Sequence, residues 1–283
     1  MIPYRAHGSL PPVFFIHPAG GRTSIYDDLA AQVSRQLPVY AIQSRLLSGA
    51  AEEWNSIGEM AQNYAGLIVK QQPEGPIRLA GFSAGGIFAL AAARELEQRG
   101  RKVSLVCMIE TPLAMLDPNR NRVSILKSLI TEVYDHLVAG LPRSRRPQVH
   151  DLSAHILRLA QRLVRTKSES ARVQNVLDWL AQRGLLASGD ADSDTRRFFA
   201  AFVRHSILIE QATVQPVLAA IHLCRAKESG LNASPVAPRA LAHITRGGIQ
   251  QEVLKGRHFE LMRPPLVKAL AHSLEATLAG SLV

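Results

Sequence analysis

Three residues of this chain, Ser83, Glu110 and His258, have the types and the chain order that make a hydroxyl nucleophilic. A serine hydroxyl attacks poorly at neutral pH unless a base within hydrogen-bond reach takes its proton. An imidazole is an effective base when a carboxylate fixes its orientation and tautomer. Ser83 lies in Gly81-Phe82-Ser83-Ala84-Gly85, between the apolar run 77–80 and a segment in which Ile87, Phe88, Leu90, Ala91 and Leu96 recur at helical spacing. A strand that turns this abruptly into a helix strains its central residue and lifts that side chain clear of the sheet edge, forming a nucleophile elbow. Gly81 and Gly85 have a steric role there, because a Cβ at either would collide across the turn. The pentapeptide alone is a weak signal, and the strand and helix patterns around it distinguish an elbow from a Gly-Ser loop.

The partners must follow in the order serine, acid, histidine. Glu110 ends the run VSLVCMIE (103–110), at the carboxyl end of a strand, where open α/β sheets gather their functional groups. A carboxylate at the end of an apolar strand is costly unless paired. Asp117 is the alternative acid, with Glu110 then left to a structural ion pair. Of the ten histidines, His258 stands in VLKGRHFELM after a strand-like run and a glycine, ahead of the last helix. His222 and His243 lie inside apolar runs and are expected to be core or surface residues. An oxyanion hole needs two backbone N–H groups. Ala84, next to the nucleophile, offers one, and Ala19 in HPAGG (17–21) offers the other. His17 is expected to shape that turn rather than to act on substrate.

These residues need a scaffold that brings strand ends together. Apolar runs at 13–17, 38–43, 77–83, 103–110, 217–226 and 241–248 alternate with helical patterns, which predicts β-α-β units and an α/β fold with a mostly parallel sheet flanked by helices. Ile57, Met60, Ala61, Tyr64, Leu67 and Ile68 form one helical stripe, opened by Ser56 and Glu59 in a capping box. After Glu110 about a hundred residues show only helical stripes, such as Val123, Leu126, Ile130, Val133 and Leu137, then Ile156, Leu159 and Leu163. Polar breaks fall at 141–148 and 185–194. The expected organisation is a core of 1–110 and 214–283 carrying a long helical lid insertion at 111–213. An independent helical domain is the alternative, and insertion is favoured because strand-like runs resume at Val217.

With 283 residues and 47% hydrophobic content the chain can bury a full core. No apolar run approaches the ~20 residues that span a bilayer, and MIPYRAHGSLPP lacks the apolar stretch of a signal peptide, so a soluble cytoplasmic protein without membrane contact is expected. Cys107 and Cys224 sit in apolar runs and suit a buried core better than a disulfide or a metal site. The net charge of +10 invites nucleic acid as a partner, but 5% aromatic content and the absence of glycine-aromatic or zinc-finger patterns argue against it.

PPVFFIHPAGG, LPVYAIQSRLLSG, SIGEMAQNYAGLIVKQQPEGPIRLAGFSAGG and GRHFELM, taken in order, resemble the thioesterase domains that end nonribosomal peptide synthetases and polyketide synthases. The resemblance covers roughly residues 11–110 and 250–265. It implies an α/β-hydrolase fold whose serine accepts an acyl or peptidyl chain from the phosphopantetheine thiol of a carrier protein. Water or an internal nucleophile then releases the chain as an acid, lactone or lactam. No bound cofactor is implied, since the pantetheine arm arrives with the carrier. The family's nucleophile falls on Ser83, its histidine on His258 and its oxyanion amides on Ala19 and Ala84. Its acid is usually Asp where this chain has Glu110, so one extra methylene must be absorbed by the loop or by His258. A free-standing editing thioesterase or a general esterase is the enzyme alternative. A non-catalytic hydrolase-fold binding module is the alternative of a different class, opposed by the intact Ser83, His258 and HPAGG.

Residues 120–204 hold 15 Lys and Arg against 8 Asp and Glu, seven of the ten net positive charges. Arg143, Arg145 and Arg146 fall between helical stripes, either as ordinary solvated charge or as a surface that meets an acidic carrier protein. Offloading from a carrier-bound substrate should then weaken steeply with salt, because exposed charges are screened over about 8 Å at physiological ionic strength. Turnover of a small uncharged thioester should barely change. Reversing the three arginines to glutamate should reproduce the high-salt behaviour at low salt, and equal responses of both substrates would remove the charge from carrier recognition.

Overall fold

The computed structural model describes residues 1–48, 54–116, 121–139, 152–185, 193–213, 215–232 and 244–280. Their strands are β1 (Ile2–Arg5), β2 (Val13–Ile16), β3 (Val39–Ile42), β4 (Ile77–Phe82), β5 (Val103–Ile109), β6 (Ala220–Ala226) and β7 (Ile249–Leu254). They form one sheet in the order β1-β3-β2-β4-β5-β6-β7, with β1 antiparallel to β3 and every other pair parallel. The helices are α1 (Asp27–Gln32), α2 (Ile57–Gln71), α3 (Ala84–Gln98), α4 (Arg122–Ala139), α5 (Leu152–Arg165), α6 (Glu169–Ala181), α7 (Ser193–Gln211) and α8 (Val267–Gly280).

The strands are continuously apolar because both sheet faces are covered. Phe14 and Ile16 point into one cluster with Met60, Tyr64 and Ile68 of α2 and Ile87, Phe88 and Leu96 of α3. Val13 and Phe15 point into the opposite cluster with Leu29 of α1 and Leu270 and Leu274 of α8. The start of α2 is fixed as its sequence suggests. The Ser56 hydroxyl accepts the Glu59 N–H at 3.1 Å, and the Glu59 carboxylate answers at the Asn55 N–H at 2.8 Å, one residue before the expected position.

The strand expected at 241–248 is displaced. Residues 241–243, His243 included, lie outside the described residues, and Thr245 makes only an isolated bridge to Val217. The sheet is continued instead by β7, whose sequence IQQEVL is mostly exposed. An edge strand with one covered flank needs no apolar run, and for that reason neither β7 nor the antiparallel edge β1 announces itself.

Helices α4 to α7 lie between β5 and β6 in the chain. Leu126, Ile130 and Tyr134 of α4 pack with Ile156, Leu159, Leu177, Trp179 and Phe199 in a cluster of their own. Ile125 and Leu129 of α4, with Leu208 and Ile209 of α7, belong instead to the cluster on the sheet. The helices therefore seat on the sheet as well as on each other. Asp117 and the arginines at 143, 145 and 146 lie outside the described residues.

Chain order reverses at β2 and β4, since β2 leads outward to β3 on one side and β4 opens the other half of the sheet. Beyond their carboxyl ends the two backbones diverge, and such a switch point is where open α/β sheets bind ligands. Tyr26, fully buried, holds the fork: its hydroxyl donates to the Ile16 carbonyl at 2.6 Å and accepts the Phe82 N–H at 2.8 Å. Tyr26→Phe strands both buried backbone groups, each worth about 1–3 kcal/mol when unsatisfied, so a loss of about 2–4 kcal/mol is expected in chemical denaturation. A loss under about 1 kcal/mol would mean that the fork is held by other means.

Candidate active site

Ser83 follows β4 with φ 55° and ψ −127° and opens α3. Only two described non-glycine residues have positive φ, Ser83 and Glu110, and both are candidate site residues. Such backbone costs of order 1–3 kcal/mol and persists only where its surroundings enforce it. A Cβ on Gly81 would lie 2.1 Å from Gly85 backbone, and one on Gly85 would lie 2.4 Å from the Ile16 carbonyl oxygen. Glycine is thus a condition of the turn, as the spacing predicts. The Ser83 N–H still pairs with the Ile109 carbonyl at 2.8 Å, so the strain begins at its own torsions.

Glu110 ends β5 with its N–H on the Cys224 carbonyl at 2.8 Å and then turns left-handed at φ 47°. Its carboxylate is fully buried. Oε1 accepts the Ala226 N–H at 2.6 Å, and Oε2 lies 3.1 Å from His258 Nδ1. Both carboxylate oxygens of the glutamate are thus engaged. Burial pushes the Glu110 carboxyl up, but hydrogen bonds from His258, Ala226 and Ser229 and the nearby imidazole charge outweigh it and hold the group below its ordinary value. Among the described residues Glu110 is thus the carboxylate hydrogen-bonded to His258.

His258 is buried, its ring 4.6 Å from that of Phe82 and 4.8 Å edge-on from Phe259. In the neutral ring, an Nδ1–H donated to a carboxylate leaves the lone pair on Nε2. The preceding residue, Arg257, pairs with Asp135 of α4 at 2.6 Å, tying the histidine loop to the inserted helices.

Ser83 and His258 line one cavity of about 690 Å³, together with Ala19 and Gly20. One wall belongs to the sheet region through Phe82, Phe259 and Met262. The other comes from Leu129, Val133 and Leu137 of α4 and Phe198, Phe199 and Phe202 of α7. Among the described residues neither the Ala19 nor the Ala84 N–H is paired with a protein acceptor. Ala84 is moreover the first residue of α3, where the helix presents partial positive charge.

Of the other histidines, His222 is a core residue on β6 with Nε2 3.0 Å from the Ser273 hydroxyl, and His17 is fully buried with Nδ1 2.8 Å from the Pro18 carbonyl. Both match the roles expected of them. Cys107 and Cys224 are buried free thiols. Among the described residues no cluster of three or more metal-ligating side chains occurs, and no helix is long and apolar enough to cross a membrane.

Sequence patterns did not flag Tyr26, His205 or Glu132. Glu132 carries the only local signal, a carboxylate beside Leu129 and Val133 on an apolar stripe. It lines the cavity and is 6% exposed.

A model of the thioesterase domain matches residues 11–278. An atromentin synthetase of Tapinella panuoides is 34% identical over 117 residues, which are 41% of this chain and 12% of that protein. A dimodular nonribosomal peptide synthase of Bacillus subtilis is 36% identical over 110 residues, 39% of this chain and 5% of that protein. The matches thus span a small fraction of these relatives. Among solved structures, the four-domain nonribosomal peptide synthetase AB3403, bound to AMP and glycine, superposes with a TM-score of 0.70 at 26% identity, covering 98% of this chain and 20% of that one. The NocB thioesterase domain, in covalent complex with a fluorophosphonate nocardicin G analog, superposes with a TM-score of 0.62 at 18% identity, covering 94% of both chains. The architecture is that of the α/β-hydrolases in this group.

Burial raises the Glu132 carboxyl above its ordinary value of 4.5, against the lowering influence of His258, Arg257 and the Gly230 N–H. A carboxyl raised on folding contributes stability that is full below its unfolded value and is lost as pH rises through its folded value. Glu132→Gln keeps an acceptor for Gly230 and removes that loss. Thermal midpoints of variant and wild type should converge at the acid end of a series from pH 4 to 8, with the variant ahead near neutrality. Parallel curves would count against a raised carboxyl.

Proposed function

The chain belongs to the thioesterase-domain family, and from that premise we propose that it takes an acyl or peptidyl chain from a carrier-protein phosphopantetheine thioester onto Ser83 and releases it by hydrolysis or cyclisation, in nonribosomal peptide or polyketide biosynthesis. The observation that carries this is the Glu110–His258 hydrogen bond at 3.1 Å beside a strained serine on a shared cavity.

In the proposed sequence, His258 Nε2 takes the Ser83 proton as Oγ bonds to the thioester carbon. The oxyanion that forms is held by the Ala19 and Ala84 N–H groups. Collapse breaks the C–S bond, and the imidazolium returns its proton to the departing pantetheine sulfur. The acyl-enzyme is then attacked by water, or by a hydroxyl or amine of the bound chain, whose proton passes to His258 as the new bond forms. The proton goes on to Ser83 Oγ as the ester bond breaks. Glu110 keeps its charge throughout, holds the tautomer and stabilises the imidazolium. The apolar cavity suits the chain, and the carrier protein brings the pantetheine arm, so no resident cofactor enters the scheme.

A fluorophosphonate probe should label wild-type protein on Ser83 and leave Ser83→Ala unlabelled. Glu110→Gln should reduce turnover by about three to four orders of magnitude through the wrong tautomer, with Glu110→Asp partly active. An acyl adduct persisting in Ser83→Ala, or full activity of Glu110→Gln, would overturn the assignment.

A further inference from the structure

Behind the oxyanion loop lies a buried polar cluster that the proposed chemistry does not use. His17 and His205 are fully buried, with ring centroids 4.6 Å apart and planes inclined at 35°. His17 Nδ1 lies 2.8 Å from the Pro18 carbonyl oxygen, and its Nε2 lies 2.6 Å from the Tyr64 hydroxyl. His205 Nδ1 lies 2.7 Å from the Ala19 carbonyl oxygen, and its Nε2 lies 3.4 Å from the Ser44 hydroxyl. A carbonyl only accepts, so each ring carries its hydrogen on Nδ1 and turns Nε2 as acceptor to a hydroxyl. Both rings are neutral at pH 7. Burial, with His205 beside it, pushes the His17 imidazole well below its usual range, and burial pushes His205 down to about 4.

The bonds fall on consecutive peptide planes. The Ala19 N–H belongs to the Pro18–Ala19 peptide, and in a trans peptide it points opposite to the Pro18 carbonyl. That carbonyl is held by His17 and by the Gly21 N–H at 2.9 Å. The next plane, Ala19–Gly20, is held through the Ala19 carbonyl by His205. With both planes fixed, neither soft torsion of Ala19 is free to turn its N–H away. His17 and Tyr64 come from the loop after β2 and from α2, whereas His205 comes from α7, one of the helices inserted between β5 and β6.

We propose that His205 is a positioning residue, which through its Nδ1–H bond to the Ala19 carbonyl aims the Ala19 N–H at the oxyanion, so that the oxyanion hole is complete only while α7 is seated on the sheet. This rests on the assignment of Ser83 and Ala19 above. The inserted helices then do more than wall the acyl cavity, because they set the efficiency of the acyl-transfer step itself. A buried ring whose only task was to fill space would not need its Nδ1 on one particular carbonyl.

Three proteins decide the question: wild type, His205→Phe and His205→Asn. Phenylalanine keeps a ring against His17 and Phe88 and deletes the donor. Asparagine places an amide N–H near the position of Nδ1. The readouts are inactivation by a fluorophosphonate, resolved into a maximal rate and a half-saturation concentration, and kcat and KM on an N-acetylcysteamine thioester of a short acyl chain. Loosening one oxyanion donor should cost less than deleting it, so His205→Phe should lower the inactivation rate and kcat about 10- to 100-fold. Half-saturation and KM should move less than about threefold, because ground-state binding does not use the hole. His205→Asn should recover most of the loss. Wild-type-like rates in His205→Phe, a loss confined to KM, or a folded His205→Asn as slow as His205→Phe would each overturn the proposal. If His205→Phe fails to fold, the folded Asn variant decides: rates near wild type support the bond, and a 10-fold or greater loss refutes it. Failure of the wild-type protein to label on Ser83 would instead overturn the thioesterase assignment, and this inference with it.

Discussion

The close approach of two backbones at the carboxyl ends of β2 and β4 is the constraint on which the rest of the site depends. Gly85 sits so near the Ile16 carbonyl that a Cβ would lie 2.4 Å from its oxygen. There the first turn of α3, just past Ser83, meets the start of the loop that follows β2, since the same Cβ would also lie 2.9 Å from the His17 carbonyl oxygen. The approach leaves no room for a regular ladder beyond Ile16 and Gly81, the last pair in register. Tyr26 bridges the gap with one hydroxyl that satisfies the Ile16 carbonyl and the Phe82 N–H, from a ring lodged among apolar side chains. A polar tip on a large apolar body suits a fork of this kind, since the body is bound by burial and the tip meets the two unpaired groups.

Strain and buried charge concentrate at the same place, and each is enforced by ordinary structure. Ser83 and Glu110 take left-handed torsions, yet each keeps its N–H in the sheet, on Ile109 and on Cys224. The ladder thus holds the strained residues by their amides and leaves their side chains to depart from the strand direction. A buried carboxylate without partners would protonate. Glu110 escapes that through Ala226, Ser229 and His258, and the bond to His258 is also the one that fixes the imidazole tautomer. The interactions that keep Glu110 ionised thus include the one that orients the His258 ring.

What the sequence reveals follows from how local each constraint is. The elbow is legible because its steric demand falls on Gly81 and Gly85, within two residues of Ser83. Glu110 is legible as a carboxylate that breaks an apolar strand, and His258 by its place after a glycine and before the last helix. β7 is not legible, because an edge strand carries no apolar run, and the apolar stretch at 241–248 draws the expectation one element too early. Tyr26 and His205 leave no trace either. Each acts on backbone groups that no local pattern ties to it, Tyr26 on Phe82 across 56 residues and His205 on Ala19 across 186, and no spacing rule reports which backbone group a buried ring will meet. Glu132 is intermediate, visible as an oddity on an apolar stripe and intelligible only once α4 is seen to wall the cavity.

The inserted helices are held to the sheet region by contacts of unequal strength. On the α4 side the polar ties are the Arg257–Asp135 pair, with side chains 48% and 32% exposed, and the bond from the Gly230 N–H to the buried Glu132. Ion pairs that open to solvent contribute about 0–1 kcal/mol. On the α7 side, Arg204 donates to the Trp54 carbonyl, and His205 is bonded to Ala19 in full burial. Separating that contact without admitting water would leave a ring N–H and a carbonyl unsatisfied, at about 1–3 kcal/mol each. Leu208 and Ile209 add apolar burial on the same helix, while α4 contributes Ile125 and Leu129 in like measure. The apolar contributions are similar, and each wall has a buried polar bond to the sheet region, His205 on Ala19 and Glu132 on Gly230, so α7 is set apart by Arg204 on the Trp54 carbonyl.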